Sequence, residues 1–168
     1  MNADDFTATI TVDATAAEAF DAVNDVRGWW SETIEGTSGA VGDSYRFEVP
    51  DVHRCTMTTT ESIPGVRLVW HVSDSYLSFI ADTTEWDDTD VVFDIAEHDG
   101  KTEIRFTHVG LRPADECYAV CSNAWGAYVT ESLRSLITTG QGDPFRRGTT
   151  LEAEASKHGN TDLLGLSS

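Results

Sequence analysis

Lysine is nearly absent from this chain. Of its 168 residues only Lys101 and Lys157 are lysines, and 29 Asp and Glu stand against 11 Lys and Arg, which leaves a formal net charge of −18. A surface this acidic repels phosphate backbones and anionic lipid headgroups. The charge therefore argues against nucleic acids and membranes as partners. An acidic, lysine-poor surface is also typical of proteins from a salt-rich cytoplasm, so a halophilic source is one hypothesis and an ordinary acidic protein is the other.

Long apolar runs are also missing. No stretch approaches the ~20 apolar residues that cross a bilayer, and the N-terminal MNADDF carries acids where a signal peptide has basic residues. There are three cysteines, Cys55, Cys117 and Cys121, so they cannot all pair with one another. Helical side chains four apart, such as those of Cys117 and Cys121, do not have the geometry of a disulfide. Together these features predict a reduced, cytoplasmic protein.

The chain has no nucleophile elbow, phosphate loop, dinucleotide fingerprint or paired CxxC motif. His53 with Cys55, and Cys117 with Cys121, do have a spacing that zinc could use, and His108 points to the same interior. Core packing explains the same residues, because buried cysteine is common in protein cores. Since no supporting carboxylate can be located, we predict no metal and no cofactor.

The N-terminal part predicts one strand and two short helices. Apolar residues alternate with threonines over residues 6–12, which indicates a strand with one buried face. Thr15 and Glu18 have the spacing of a capping box, so a helix begins there. A second helical turn carries Trp29 and Trp30. Because adjacent helical side chains point about 100° apart, we expect one tryptophan to pack inside and the other to lie at a rim.

Residues 42–109 follow a period of two, which predicts about five further strands. Pro64-Gly65 and Asp99-Gly100 are turn signals between them, so the strands form a mainly antiparallel meander. Residues 73–90 are ambiguous, because aromatic residues there are mixed with acids and threonines, and a strand followed by a mobile loop is one interpretation.

The stretch from Leu111 to Gly140 predicts one long C-terminal helix. Pro113 suits the first helical turn, acids follow it, and Gly140 is a natural stop. Apolar side chains recur every three or four residues along this stretch and form one stripe. Gly126 within it either permits a close approach of the sheet or is a packing accommodation.

The order of elements, with the segments DVRGWWS, DVHRCTM, LVWHV, TEIRFTHVGL, ECYAVCSNAWGAYV and SLRSLITTG, resembles the START-like (SRPBCC) superfamily. Within it, the chain is similar to homologues of the C-terminal domain of the activator of heat-shock protein 90 ATPase. The resemblance covers residues 5–142 and implies an α+β helix-grip fold, in which a curved antiparallel sheet of about six strands wraps one long helix. It also implies a cavity between sheet and helix, and it transfers no catalytic residue. Residues 143–168 are predicted to be a polar, weakly ordered tail with one helical turn around 151–156.

We therefore expect a protein that binds an apolar or aromatic small molecule. The alternatives are a chaperone-interacting module and a cyclase or dehydratase that uses His53 or His108, although a hydrogen-bonded core histidine is the favoured explanation of each of these two. The residues expected to line the site are Met57, Trp70, Phe93, Phe106, His108, Tyr118, Cys121, Trp125 and Tyr128, with Trp29 or Trp30 at its mouth.

Overall fold

The computed structural model describes residues 4–165. Its elements, in chain order, are β1 (Phe6–Val12), α1 (Ala16–Asn24), α2 (Val26–Trp29), β2 (Glu35–Gly36), β3 (Ser44–Val49), β4 (His53–Ile63), β5 (Arg67–Leu77), β6 (Asp90–His98), β7 (Lys101–Val109), α3 (Tyr118–Ala127), a π-helical segment (Tyr128–Leu133), α4 (Arg134–Thr139) and α5 (Leu151–His158). The three consecutive helical pieces from Tyr118 to Thr139 are called the long helix below. Within residues 4–165, none of the helices is long and apolar enough to span a membrane.

The seven strands form one antiparallel sheet in the order β1-β7-β6-β5-β4-β3-β2. Its buried face carries the residues that the period of two predicts, for example Trp70, Phe93 and Phe106, each with 0 % of its surface exposed. The register of β4 against β5 shifts twice, between Arg54 and Thr56 and between Thr59 and Glu61. Such irregularities bend a strand, and here they help the sheet to curve around the long helix. The α+β helix-grip fold is thus confirmed.

The long helix begins later than its sequence predicts. Residues 113–117 form turns and a bend, and the helix starts at Tyr118 rather than near Leu111. The backbone N–H groups of Glu116 and Cys117 donate to the carboxylate of Glu85, both at 3.0 Å. An acid from a distant loop therefore satisfies the donors that precede the helix, which local sequence signals do not reveal. The predicted end is confirmed, because Gly140 adopts the left-handed conformation with φ 85°.

The middle of the long helix is irregular. Its π-helical segment widens the turn at Tyr128 and places that side chain toward α5. A Cβ atom built on Gly126 would meet no heavy atom within 4 Å. Gly126 therefore does not serve a close approach of the sheet, which was one of its two predicted roles.

The segment after the long helix packs against the rest of the domain. The backbone N–H of Phe145 donates to the carbonyl of Trp30 at 2.8 Å, and Phe145 is buried. The amide of Asn160 donates to the carbonyl of Val120 at 2.9 Å and accepts from the amide of Asn123 at 3.0 Å. The predicted helical turn at 151–156 corresponds to α5, which extends to His158 and lies on α3.

Trp29 and Trp30 differ from the expectation that one of them lies at a rim. Both are buried, with 0 % and 2 % of their surfaces exposed, and their rings stack with centroids 6.3 Å apart. Trp29 donates from Nε1 to the carbonyl of Val23 at 3.0 Å and packs edge-on against Phe93. The prediction was wrong because it treated both tryptophans as residues within one helix. Helix α2 ends at Trp29, so Trp30 follows the helix and its ring also packs in the core.

Candidate functional site

A cavity of about 90 Å³ lies where the ends of β3 and β4, the long helix and the C-terminal segment meet. Most of its walls are aromatic or aliphatic side chains. The residues that line it are Trp30, Phe47, Val49, Val52, His53, Phe79, Trp86, Val120, Cys121, Ala124, Trp125, Tyr128, Phe145, Leu151, Glu154, Ala155, His158, Asn160 and Leu164. The C-terminal segment from Phe145 to Leu164 thus closes one side of the cavity.

Four aromatic rings build its inner wall. Trp30 stacks on Phe47 with centroids 4.6 Å apart and contacts Trp125 at 4.8 Å. Trp125 in turn stacks on Trp86 at 5.8 Å. Each ring comes from a different element, so the wall is rigid only when α2, the sheet and the long helix are assembled. Flat, apolar surfaces of this kind suit a planar or aliphatic ligand.

His53 and Trp86 form a second wall. The His53 ring stands edge-on to Trp86 with centroids 4.5 Å apart, and it meets Phe47 in the same way at 5.1 Å. Trp86 donates from Nε1 to the Cys117 Sγ at 3.3 Å, which anchors the loop 78–89 to the start of the long helix. Burial lowers the pKa of His53 to about 3, so this imidazole is neutral near pH 7.

His108 lies behind the cavity wall rather than in it. Its Nδ1 accepts from Trp125 Nε1 at 3.1 Å, and its Nε2 lies 2.9 Å from the Thr89 hydroxyl. The Thr89 hydroxyl donates to the carbonyl of Trp86 at 2.6 Å, so Nε2 is the protonated nitrogen of His108 and donates to Thr89. Both ring nitrogens are therefore hydrogen-bonded. This arrangement is that of a core histidine, whereas a general base needs a nitrogen that is free to take a proton. Burial, with a smaller effect of His53, lowers the pKa of His108 to about 3.

A charged cluster marks the rim beside α5. The Tyr128 hydroxyl donates to Glu154 Oε2 at 2.5 Å, and Lys157 Nζ lies 3.0 Å from Glu154 Oε1. Burial alone would raise the pKa of Glu154, but the neighbouring His158, Tyr128 and Lys157 lower it to about 2. Glu154 is therefore ionised and already neutralised by its own neighbours.

The structure divides the predicted site residues into two groups. Trp30, Cys121, Trp125 and Tyr128 line the cavity. Trp29, Met57, Trp70, Phe93, Phe106 and His108 are buried in the solid core below it, and Tyr118 is partly buried against Phe6. The second group does not reach the cavity because the sheet and the long helix are in direct contact over their central part.

Sequence reasoning missed several lining residues. Phe47 and His53 share the inward face of β3 and β4, so their period of two was an available signal. Trp86 follows no period, because it belongs to the loop between β5 and β6. Leu151 and Glu154 belong to a segment whose polar composition gives no indication of contact with the core.

The cysteines do not form a metal centre in the part of the chain that is described. Among residues 4–165, no three His, Cys, Asp or Glu side chains come together as a potential metal site. Cys55, Cys117 and Cys121 are free and buried. Burial raises the pKa of Cys121, with a further contribution from the neighbouring Cys117, so its thiol stays protonated.

A curved antiparallel sheet that holds a long helix, with an apolar cavity at one end of the contact, defines a helix-grip protein of the START-like class. The chain belongs to the family described as Activator of Hsp90 ATPase homolog 1-like protein, whose pattern matches residues 13–138. No curated protein matches the sequence.

Solved structures share this architecture at low sequence identity. The Aha1 dimer from Colwellia psychrerythraea is 20% identical, with a TM-score of 0.67, and the match covers 82% of this chain and 98% of that one. A conserved protein of unknown function from Enterococcus faecalis is 15% identical with a TM-score of 0.58, covering 100% and 90%. CalU16 from Micromonospora echinospora is 12% identical with a TM-score of 0.57, covering 97% and 88%. These similarities show the fold alone.

Proposed function

We propose that this protein binds a small apolar or aromatic molecule in the cavity between the sheet, the long helix and α5. The observation that carries the proposal is the cavity of about 90 Å³, whose walls include the rings of Trp30, Phe47, Trp86 and Trp125. Apolar cavities stay dry and accept apolar guests, and one of ~150 Å³ holds benzene. The volume here is smaller, so it limits the ligand to one small ring or a short aliphatic chain, and a larger ligand requires α5 to move.

A cavity-filling variant tests this proposal. Ala124 lines the cavity from α3, so Ala124→Leu adds carbon atoms where the ligand would lie. We expect the binding of toluene, followed by titration in an NMR spectrum, to be weakened at least about tenfold, which corresponds to ~1.4 kcal/mol. Ala119→Leu is the matched control, because Ala119 is an exposed residue of the same helix. Equal affinities of the two variants for toluene would contradict the assignment of the cavity.

Native mass spectrometry of the purified protein adds an independent test. A bound organic mass supports the proposal and identifies the ligand. A bare protein mass that stays bare after soaking with aromatic and fatty molecules favours the second candidate, a chaperone-interacting module, which the description of the family supports. The cytoplasmic location, inferred from reduced cysteines and the acidic composition, is part of the same proposal.

A further inference from the structure

His53 is a polar residue of the cavity that has a buried nitrogen without a hydrogen-bond partner. It is the first residue of β4, and its ring lines the cavity between Trp86 and Phe47. Its Nε2 atom is buried and has no hydrogen-bond partner among the described residues. A buried polar atom without a partner costs about 1–3 kcal/mol, and native proteins satisfy nearly all such atoms. A molecule in the cavity that bonds to this nitrogen would remove the cost.

Most of the other polar groups that border the cavity are occupied. Asn160 uses both ends of its amide on Val120 and Asn123. The Tyr128 hydroxyl donates to Glu154. His158 Nε2 is also buried without a hydrogen-bond partner, but it faces the Glu154 carboxylate at 3.4 Å. Of these two unpaired atoms, His53 Nε2 is the one that lies beside aromatic rings and not beside a carboxylate.

The charge of the surroundings disfavours an ionised ligand. Lys157, the cation at the rim, lies 3.0 Å from Glu154 and 3.5 Å from Asp143. His53 is neutral, because burial lowers its pKa to about 3. A carboxylate or phosphate would lose its hydration without gaining a cation, and it would enter against a net charge of −18. A cation could contact the aromatic walls, but the carboxylate of Glu154 already has its own partners.

A neutral imidazole offers one N–H donor and one acceptor, and a hydroxyl group can complement either of them. The cavity volume of about 90 Å³ limits the ligand to no more than one ring. We propose that His53 is the polar recognition residue of the cavity and that the ligand is an uncharged aromatic alcohol, a phenol, rather than an acid. This inference rests on the proposed function and narrows it to one chemical class.

Four probes of similar size test the inference: phenol, toluene, benzoate and benzylamine. Phenol and toluene differ only by a hydroxyl in place of a methyl, so their comparison isolates the hydrogen bond. We expect phenol to bind at least about tenfold more tightly than toluene in calorimetric titrations, and neither ion to bind more tightly than toluene. In His53→Phe, phenol should bind more weakly than toluene, because its hydroxyl then loses its hydration without gaining a partner. His98→Phe, at an exposed position, is the matched control and should keep the preference.

The outcomes separate the inference from the proposed function. Equal affinities of the wild-type protein for phenol and toluene overturn the role of His53 and leave the apolar binding site in place. Tighter binding of benzoate or benzylamine than of phenol also overturns the inference. Failure of all four probes to bind overturns both proposals. If His53→Phe does not fold, the ¹⁵N chemical shifts of the His53 ring in the wild-type protein replace it, since phenol must move them and toluene must not.

Discussion

At the scale of single residues, the buried His108 makes the stability of the folded protein depend on pH. Its neutral form is held by Trp125 and Thr89, and burial lowers its pKa to about 3 from an ordinary value of 6.5. Below pH 6.5 the unfolded chain takes up a proton at this residue and the folded protein does not. Stability therefore falls as the pH decreases from 6.5 toward 3. His53, with its pKa also lowered to about 3, acts in the same direction.

We expect the free energy of unfolding, measured with urea, to decrease between pH 6.5 and pH 5. For each buried histidine the loss is at most about 1.4 kcal/mol per pH unit. This pH range avoids the titration of Glu154. Its lowered pKa stabilises the folded protein above the ordinary pKa of 4.5, and this stabilisation is lost as the pH falls through about 2. His71 has the opposite shift, because bonds to Asp90 and Asp88 raise its pKa. Its stabilisation is present below its unfolded pKa and is lost as the pH rises, so it adds no loss on acidification.

A substitution measures how much His108 contributes to this pH dependence. His108→Gln should reduce the pH dependence by about one proton, because the amide does not titrate in this window. The exposed His98 offers the control, and His98→Gln should keep the wild-type slope. If His108→Gln shows the same slope as the wild-type protein, the neutral core histidine is not the cause.

At the scale of elements, a buried hydrogen bond between Tyr128 and Glu154 contributes to the position of α5 on the long helix. Tyr128 lies in the π-helical segment, where the widened turn directs its hydroxyl to Glu154 of α5 at 2.5 Å. Hydrogen bonds to charged groups contribute about 1.5–3 kcal/mol. Because Tyr128 and Glu154 both line the cavity, the docking of α5 also determines how the cavity is closed.

Tyr128→Phe should loosen α5 without unfolding the sheet. We expect the backbone amides of α5 to exchange with deuterium at least about tenfold faster, which corresponds to the loss of ~1.4 kcal/mol, while the amides of β6 and β7 keep their rates. Tyr76→Phe is the matched control on β5, where the ring lies under the Arg54 guanidinium at 4.9 Å. Unchanged exchange in α5 of Tyr128→Phe would show that this hydrogen bond does not hold the helix in place.

At the scale of the whole molecule, the net charge of −18 opposes the compact state. Charges of one sign are closer together in the folded protein than in the unfolded chain, so their mutual repulsion favours unfolding. Salt screens this repulsion, and the Debye length falls from about 10 Å at 0.1 M to about 3 Å at 1 M. The halophilic source suggested by the composition stays a prediction, but its physical consequence can be measured.

We expect the free energy of unfolding to rise as NaCl is increased over this range. Glu35, Glu103 and Glu131 are exposed, so the triple variant Glu35→Gln, Glu103→Gln, Glu131→Gln lowers the charge without disturbing the core. Its stability should depend less steeply on salt than that of the wild-type protein. A salt dependence of the same steepness in both proteins would assign the effect to the general influence of salt on apolar surfaces instead.

Most of the sheet could be predicted because each strand exposes one face to the core. The alternation of Val91, Phe93 and Ile95 determines which side chains point inward wherever the strand is placed in the sheet. The capping box of Thr15 and Glu18 was predictable for a similar reason, since its hydrogen bonds of 3.0 and 3.1 Å join residues three apart. A structural feature can be predicted from a local sequence pattern when the interactions that form it join residues close together in the chain.

The candidate site was predictable only in part. Trp125 and Tyr128 follow the helical period and line the cavity, whereas Trp70 and Phe106 follow their strand period and fill the core instead. A period shows that a side chain is inside, but it does not show whether the interior is filled at that point. Trp86 was not predicted, because no period describes the loop that carries it.

The amino-acid sequence by itself determined the fold class, the inward faces of the strands, the end of the long helix at Gly140 and the acidic surface. Only the tertiary structure decided where the helix begins, since the carboxylate of Glu85, in a loop, accepts hydrogen bonds from the two backbone N–H groups that precede the helix. It also decided that Trp30 and His53 meet the C-terminal segment around one cavity. The reason is physical: periodicity and capping act between neighbours in the chain, whereas a cavity is the space left between elements that the chain brings together from far apart.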